Sequence, residues 1–407
     1  MQIMSIRPLA LAALVLLASL APMTAASGAT PSQASSNSDV EAYSGTHVSF
    51  ATDSSAIVGY AVDSETVLSS VEVQSESQVE SSLGIGVSGD LQAVTDFAGT
   101  ALSMDASAQT SASIQAESGA TIEAHDHGHG TLVVDASDSQ YVELGMNASS
   151  SAETTSDGRV LVTTDDGTKA AVMVVGDGDV TVNNQGNVTA NVKAESKLVV
   201  RSYSDERTEE DEQTEQLIAN GTAAAEVYVD QQDGERVEGT ITYDQDTNVT
   251  AEAESESAVN MTIDRAESEG KVVIASTSQF AAESSDDLTV RVDGDVAAQA
   301  SSYSELRAAA DDGDTSKYMV KSSGSAEASA DVLVAVNHFS ERSVSIADAD
   351  GSSDGDGSDT GDGSDTGDSN TGDGSGDGST GSGDGPGFGV FAALLSLFGL
   401  GTLLARR

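Results

Sequence analysis

From Leu102 to Ala124 the chain alternates without interruption. Leu102, Met104, Ala106, Ala108, Ala112, Ile114, Ala116, Ala120, Ile122 and Ala124 share one face, while Asp105, Gln109, Gln115, Glu117 and Glu123 share the other. A period of two puts successive side chains on opposite sides of an extended chain, so this run is β-structure and not helix. The pattern returns in Val180, Val182, Val188, Ala190, Val192, Leu198 and Val200, and again in Val249, Ala251, Ala253, Val259, Met261 and Ile263. It returns once more in Leu288, Val290, Val292, Val296, Ala298 and Ala300. Helical periodicity is weak throughout, and the acidic segment from Asp205 to Ile218 is the one helix candidate, with a loop as its alternative.

The alternating runs resemble one another, which points to internal duplication. Gly130-Thr131-Leu132-Val133-Val134 matches Gly270-Lys271-Val272-Val273-Ile274, and Met173-Val174 matches Met319-Val320. A shorter offset pairs Ser202-Tyr203-Ser204 with Ser302-Tyr303-Ser304, so the repeated unit is a small strand-and-turn element. A parallel β-helix would bend every five or six residues, whereas these runs alternate for more than fifteen. The expectation is therefore an all-β fold, an elongated antiparallel sheet or sandwich of long strands with internal repeats. Hairpin turns are expected at Asp165-Asp166-Gly167, Gly176-Asp177-Gly178 and Asp233-Gly234. No proline occurs between Ser32 and Gly385, as suits ladders that use every amide. Inward faces rich in Ala and Ser bury little area per strand, so the sheets must lie close together.

Charge sets the environment. With 67 acidic against 17 basic residues the net charge is −50, which excludes a nucleic-acid-binding surface and would repel an acidic membrane face. Such self-repulsion opposes a compact state in dilute buffer, whereas at molar salt the screening length falls to about 3 Å. Disorder would also favour acidity, but it predicts no regular apolar pattern.

The ends carry targeting signals. Arg7, an apolar stretch from Leu9 to Ala21 and the small residues Thr24-Ala25-Ala26 follow the order of a secretory signal, which places the mature start near Ser27. At the other end, Pro386-Gly387-Phe388 leads an apolar run from Phe388 to Ala405 and then Arg406-Arg407. As a helix, that run would span about 27 Å, enough to cross a hydrocarbon core, with Arg406 and Arg407 at its inner tip. This arrangement resembles the PGF-CTERM sorting signal of haloarchaeal surface proteins. The resemblance implies removal by an archaeosortase with attachment of a lipid, and it covers only the last 20 or so residues. A plain single-pass anchor would give the same membrane placement.

Between fold and anchor, residues 348–385 hold Asp, Gly, Ser and Thr with one Ala and one Asn, a composition that cannot offset its own ordering entropy. A disordered acidic stalk is expected, reaching about 35 Å on average. An EF-hand loop needs an acid at its twelfth position, usually Glu, and no Glu follows Glu341. The organisation read from sequence is a signal peptide (1–26), a flexible segment (27–45), a repetitive ectodomain (46–347), the stalk (348–385) and the sorting signal with its helix (386–407).

Catalytic signals are sparse. The chain has no Cys and no Trp, and no serine-elbow, phosphate-loop, dinucleotide or zinc-protease motif. One local cluster stands out, His125-Asp126-His127-Gly128-His129, whose imidazoles and carboxylate suit a divalent metal such as zinc, copper or nickel. If extended, His125 and His129 would lie roughly 13 Å apart, too far to share an ion, and a polar hairpin tip is the competing reading. Five sequons, at Asn147, Asn187, Asn220, Asn248 and Asn260, are candidate glycan acceptors. The expectation is thus a non-enzymatic, glycosylated structural or interaction protein on the outer face of a haloarchaeal membrane, associated with the S-layer. Its expected partners are the secretion machinery, an archaeosortase, the membrane and other envelope proteins. The rival is a surface-anchored metal- or solute-binding protein using the histidine cluster, and an extracellular hydrolase ranks last.

Overall fold

The first ordered strand begins at Ala42, inside the segment expected to be flexible. The computed structural model describes residues 41–348 except 84–90, 96–97, 165–166, 205, 233–234, 256–257, 278–287 and 323–329. All of these belong to one unit that ends at Ser353. The signal, stalk and sorting segments therefore lie outside the described residues. No helix among those described is long and apolar enough to cross a membrane.

The strands are β1 (Ala42–Ser44), β2 (Val48–Asp53), β3 (Ala56–Val62), β4 (Glu65–Ser75), β5 (Leu102–Ser107), β6 (Ser111–Ala116), β7 (Thr121–His125), β8 (Thr131–Ala136) and β9 (Gln140–Gly145). Next come β10 (Ser151–Thr154), β11 (Val160–Thr164), β12 (Gly167–Val175), β13 (Gly178–Val182), β14 (Val188–Val192) and β15 (Ser196–Ser202). The second half supplies β16 (Ala223–Gln232), β17 (Glu235–Thr242), β18 (Thr247–Ser255), β19 (Ala258–Arg265), β20 (Glu269–Thr277) and β21 (Leu288–Val292). It ends with β22 (Asp295–Val296), β23 (Ala298–Gln299), β24 (Lys317–Ser322), β25 (Ala330–His338) and β26 (Glu341–Asp348). Among the described residues three α-helices interrupt them: α1 (Glu76–Leu83), α2 (Glu209–Ala219) and α3 (Tyr303–Asp312).

These strands form four sheets. Sheet I has the order β1-β2-β3-β4-β9-β14-β13 and sheet II the order β10-β11-β12-β15-β8-β7-β6-β5. Sheet III is β17-β16-β20-β25-β24-β23 and sheet IV is β18-β19-β26-β21-β22. Pairing is antiparallel except for β16 with β20 and β23 with β24. One apolar core lies between sheets I and II, including Tyr60, Leu68, Ile114, Ile122, Leu144 and Leu198. A second lies between sheets III and IV, including Met261, Ile263, Val290, Val334 and Ile346. A third joins the two sandwiches, where Val133, Met173 and Val199 of sheet II meet Tyr228, Val272, Ile274 and Leu333 of sheet III. Leu217 and Ile218 of α2 and Leu306, Ala309 and Ala310 of α3 complete that middle core.

The all-β class holds, but the strands are shorter than their alternation suggests. The longest has 11 residues. The run from Leu102 to Ala124 is a meander of β5, β6 and β7, and its period survives because of the turns. Ile114 pairs with Ile122 across the three-residue loop Glu117-Ser118-Gly119, which returns the chain on the same face. Gly119 supplies the left-handed backbone there, at φ 96°. A register shift between Met104 and Ala106 corrects the parity at the preceding hairpin.

Gly176-Asp177-Gly178 is not a hairpin; it carries the chain from β12 in sheet II to β13 in sheet I. Its tightness is set by contact, because a Cβ on Gly178 would stand 2.3 Å from the Asn191 carbonyl oxygen. Val296, assigned inward by the alternation, is 63% exposed, since β22 is a two-residue edge strand. Within the acidic segment, Glu209–Ala219 is helical as α2, opened by a capping box between Thr208 and Asp211. Helices α1 and α3 were not anticipated, for each is short and its apolar positions are few.

Candidate functional site

Both faces of the central strands of sheets II and III, among them β8 and β15 of the one and β16 and β25 of the other, are buried, so a polar side chain on their facing sides must find its partner inside the protein. Arg201 of β15 and Glu226 of β16 face each other there, both 0% exposed, and form a direct ion pair through Arg201 Nη1 and Glu226 Oε2. Tyr243 donates its hydroxyl to the same Glu226 oxygen at 2.7 Å. The Ser276 hydroxyl lies 3.1 Å from Glu226 Oε1 and 2.7 Å from Asp331 Oδ1, so its single proton serves one carboxylate at a time. Lys321 Nζ joins Asp211 at 2.5 Å and Asp331 at 3.3 Å, and His129 Nε2 lies 3.7 Å from Asp331. A second knot centres on buried Glu215 of α2, which accepts from Arg159, from Arg207 at 2.6 and 2.7 Å, and from Tyr203 at 2.6 Å.

The electrostatics lock these groups in one charge state. Burial pushes the Glu226 carboxyl up, but the Arg201 guanidinium outweighs it and brings the group down to about 2. Asp331 is held well below the usual carboxylate range, because the His129 imidazole and the Lys321 ammonium overcome the burial that would raise it. Tyr203 and Tyr243 are raised by burial and by the neighbouring Glu215 and Glu226 respectively, so they stay protonated. Lys321 is raised despite burial by Asp331 and Asp211. Glu226, Asp331, Lys321 and the two tyrosines thus keep fixed charges through the neutral range, which suits holding surfaces in register rather than moving protons. The network is imperfect at one point: Arg201 Nε and Nη2 have no acceptor among the described residues.

The histidine segment does not form a solvent-exposed tip. It is the loop between β7 and β8, buried against the second sandwich, and its members point to separate tasks. Asp126, 0% exposed, accepts the backbone amides of Thr46 at 2.7 Å, His47 at 2.7 Å and Val48 at 2.6 Å. His127 stacks on Tyr228 with ring centroids 4.5 Å apart and shares a 3.1 Å hydrogen bond with Thr131 Oγ1. Burial pushes its imidazole well down, so it is neutral. His125 meets the edge of Tyr228 at 6.3 Å and lies 3.7 Å from Glu123 Oε2, while His129 turns to Asp331. Among the described residues no three His, Asp or Glu side chains are gathered as metal ligands. Tyr228 is held in turn by Gly239 across the β16–β17 ladder, where a Cβ would fall 2.0 Å from its ring.

His47 is the link that sequence reasoning missed on the outer rim of the same interface. Its Nδ1 lies 2.9 Å from Asp63 of the first sandwich and its Nε2 lies 3.0 Å from Asp230 of the second. Hydrogen bonds to Asp230 and Asp63 raise the imidazole to about 10. An unfolded histidine titrates near ~6.5, so this contribution is complete below about pH 6.5 and is lost as pH rises through about 10. Stability measured by urea at fixed high salt should fall by about 1–2 kcal/mol between pH 7 and 10. His47→Gln should flatten that slope; an unchanged slope in the variant would refute the assignment.

The network was partly visible in sequence. Arg201 ends the apolar run Leu198-Val199-Val200 and Glu226 interrupts the run Ala223-Ala224-Ala225 and Val227, so each is a charge set against a stretch apolar on both faces. Of the candidate glycan acceptors, Asn147 and Asn187 have their amides engaged in hydrogen bonds, and Asn220 and Asn248 are exposed with Asn260 half-buried. Pro386, Gly387, Phe388, Arg406 and Arg407 lie outside the described residues. A scan against protein-family models finds no match to this chain, and a search of curated proteins finds no significant relative.

Proposed function

We propose that the chain is a non-enzymatic structural or interaction protein of the haloarchaeal envelope, displayed on the outer face of the membrane and associated with the S-layer. The observation that carries this reading is the charge-locked seam between the sandwiches. Arg201 with Glu226, His127 on Tyr228 and His129 with Asp331 are spent on joining one half of the ectodomain to the other. Burial of paired charges along a sheet interface favours one fixed geometry over a deformable one. A strongly acidic exterior suits the same setting, because molar salt screens its self-repulsion. Export by the N-terminal signal, then tethering at the C-terminus by a lipid that replaces the apolar helix, would deliver such a unit to the surface.

The test is mass spectrometry of the intact protein and its C-terminal peptide, purified from cell envelopes in high salt before and after lipid extraction. A chain ending near Pro386 with a lipid-sized increment is the expected result. Recovery only from the cytoplasm, with residues 1–26 still present, would sink the display reading. A terminus still at Arg407 would leave a helix-anchored protein and remove the archaeosortase step.

A further inference from the structure

We infer that the ectodomain carries N-linked sugars at Asn220, Asn248 and Asn260 and none at Asn147 or Asn187, so that its glycans are confined to the stretch from the end of α2 to β19. This rests on the proposed export, since the acceptors must meet an extracytoplasmic transferase. In that step the side-chain Nδ2 attacks the anomeric carbon of a glycosyl-phosphate donor. The bond from that carbon to the phosphate oxygen breaks, the phosphate leaves with the electron pair, and the amide gives up one proton. The reaction needs an accessible amide, and it needs the Ser or Thr hydroxyl two residues on.

The five sequons divide on whether the asparagine amide is already bonded within the protein. Asn187 Nδ2 donates to Glu143 Oε1 at 2.8 Å while its Oδ1 accepts the Met146 amide at 3.1 Å. Its partner Thr189 is 0% exposed, with its hydroxyl bonded to the Val94 carbonyl and to Asn183. A sugar there would have to enter a face of sheet I already closed by its own hydrogen bonds. Asn147 Nδ2 donates to the Thr66 carbonyl at 3.0 Å, which ties it to the start of β4.

Asn248 and Asn260 stand on adjacent strands of sheet IV, on its solvent face. Thr250 and Thr262, the hydroxyls of their two sequons, are direct cross-strand partners and both are exposed. Among the described residues neither asparagine amide has a hydrogen-bond partner. Asn220 is the exposed cap residue of α2, where the chain leaves the helix through Gly221 at φ 67°. Asn248 also lies on β18, the end strand of its sheet, where a bulky polar group shields an open row of backbone amides from pairing with another strand.

The experiment is glycopeptide mapping of the full-length protein purified from envelopes. Sugar increments on the Asn220, Asn248 and Asn260 peptides and bare Asn147 and Asn187 are expected. Thr250→Ala and Thr262→Ala, both at exposed positions, should each abolish one increment, whereas Thr250→Ser should keep it. A sugar on Asn147 or Asn187, or a wholly unmodified Asn220, Asn248 or Asn260 in envelope-derived protein, overturns the inference. Protein recovered only in the cytoplasm would instead defeat the display reading and this inference with it.

Discussion

Glu226→Gln should destabilise the protein by about 3–5 kcal/mol, read as a fall in the urea midpoint at molar salt. The variant keeps the size of the side chain and both of its neighbours, but leaves the Arg201 guanidinium at 0% exposure without a counter-charge. Salt cannot rescue it, because screening ions do not reach a site closed on both sides by sheets. The gain from the native pair is a different quantity, since forming it required both ions to leave water. Arg201 Nε and Nη2 find no acceptor among the described residues, so the pair does not recover its full desolvation cost. The triple replacement Arg201→Met, Glu226→Leu, Tyr243→Phe should therefore fold at least as stably as the native protein. Tyr243 must be included because its hydroxyl would otherwise lose Glu226, its acceptor. A Glu226→Gln protein within 1 kcal/mol of native would show that the seam is hydrated and the pair incidental.

What the sequence made legible was the period, and what it hid was the number of layers. The even-numbered set Ala112, Ile114, Ala116, Ala120, Ile122 and Ala124 is buried as the alternation requires. The opposite face is buried too at Val133 and Val199, because the central strands of sheet II are covered on both sides. Continuous apolar triplets such as Leu132-Val133-Val134 and Val272-Val273-Ile274 carried that message, being the mark of strands buried on both faces. The same segments had been matched as repeats, and both lie in strands that line the middle core. Turns were hard to find because a three-residue loop preserves face parity, leaving Gly119 as the one local sign. Ion partners were beyond reach: Arg201 meets Glu226 across 25 residues and Lys321 meets Asp211 across 110, and in a chain with 67 acids no local rule selects those two. The histidine cluster was noticed for its ligand chemistry, but its roles depend on Tyr228, Asp331 and the backbone of residues 46–48, none of them near in sequence.

Asp126→Ala should cost nearly as much as the loss of Glu226, about 3–4 kcal/mol, and it should do so through a different mechanism. Three backbone amides, those of Thr46, His47 and Val48, converge on one buried carboxylate, and hydrogen bonds to a charged group contribute roughly 1.5–3 kcal/mol each. Water can reach the exposed Thr46 end of the turn after the change, which keeps the loss below the simple sum. The turn also fits its anchor closely, since a Cβ at Gly45 would stand 2.0 Å from Asp126 Oδ2, so Gly45→Ala should weaken the same contact. Asp126→Asn can still accept from two of the amides, but sets its own N–H against the third, for about 1–2 kcal/mol. The consequence reaches the seam, because this turn positions His47 between Asp63 and Asp230. Asp126→Ala should therefore remove the alkaline loss of stability as well as lower the plateau, and His47→Gln added to it should cost less than it does alone. Strictly additive effects in that double-mutant cycle would show that the carboxylate supports the turn without setting the bridge between sandwiches.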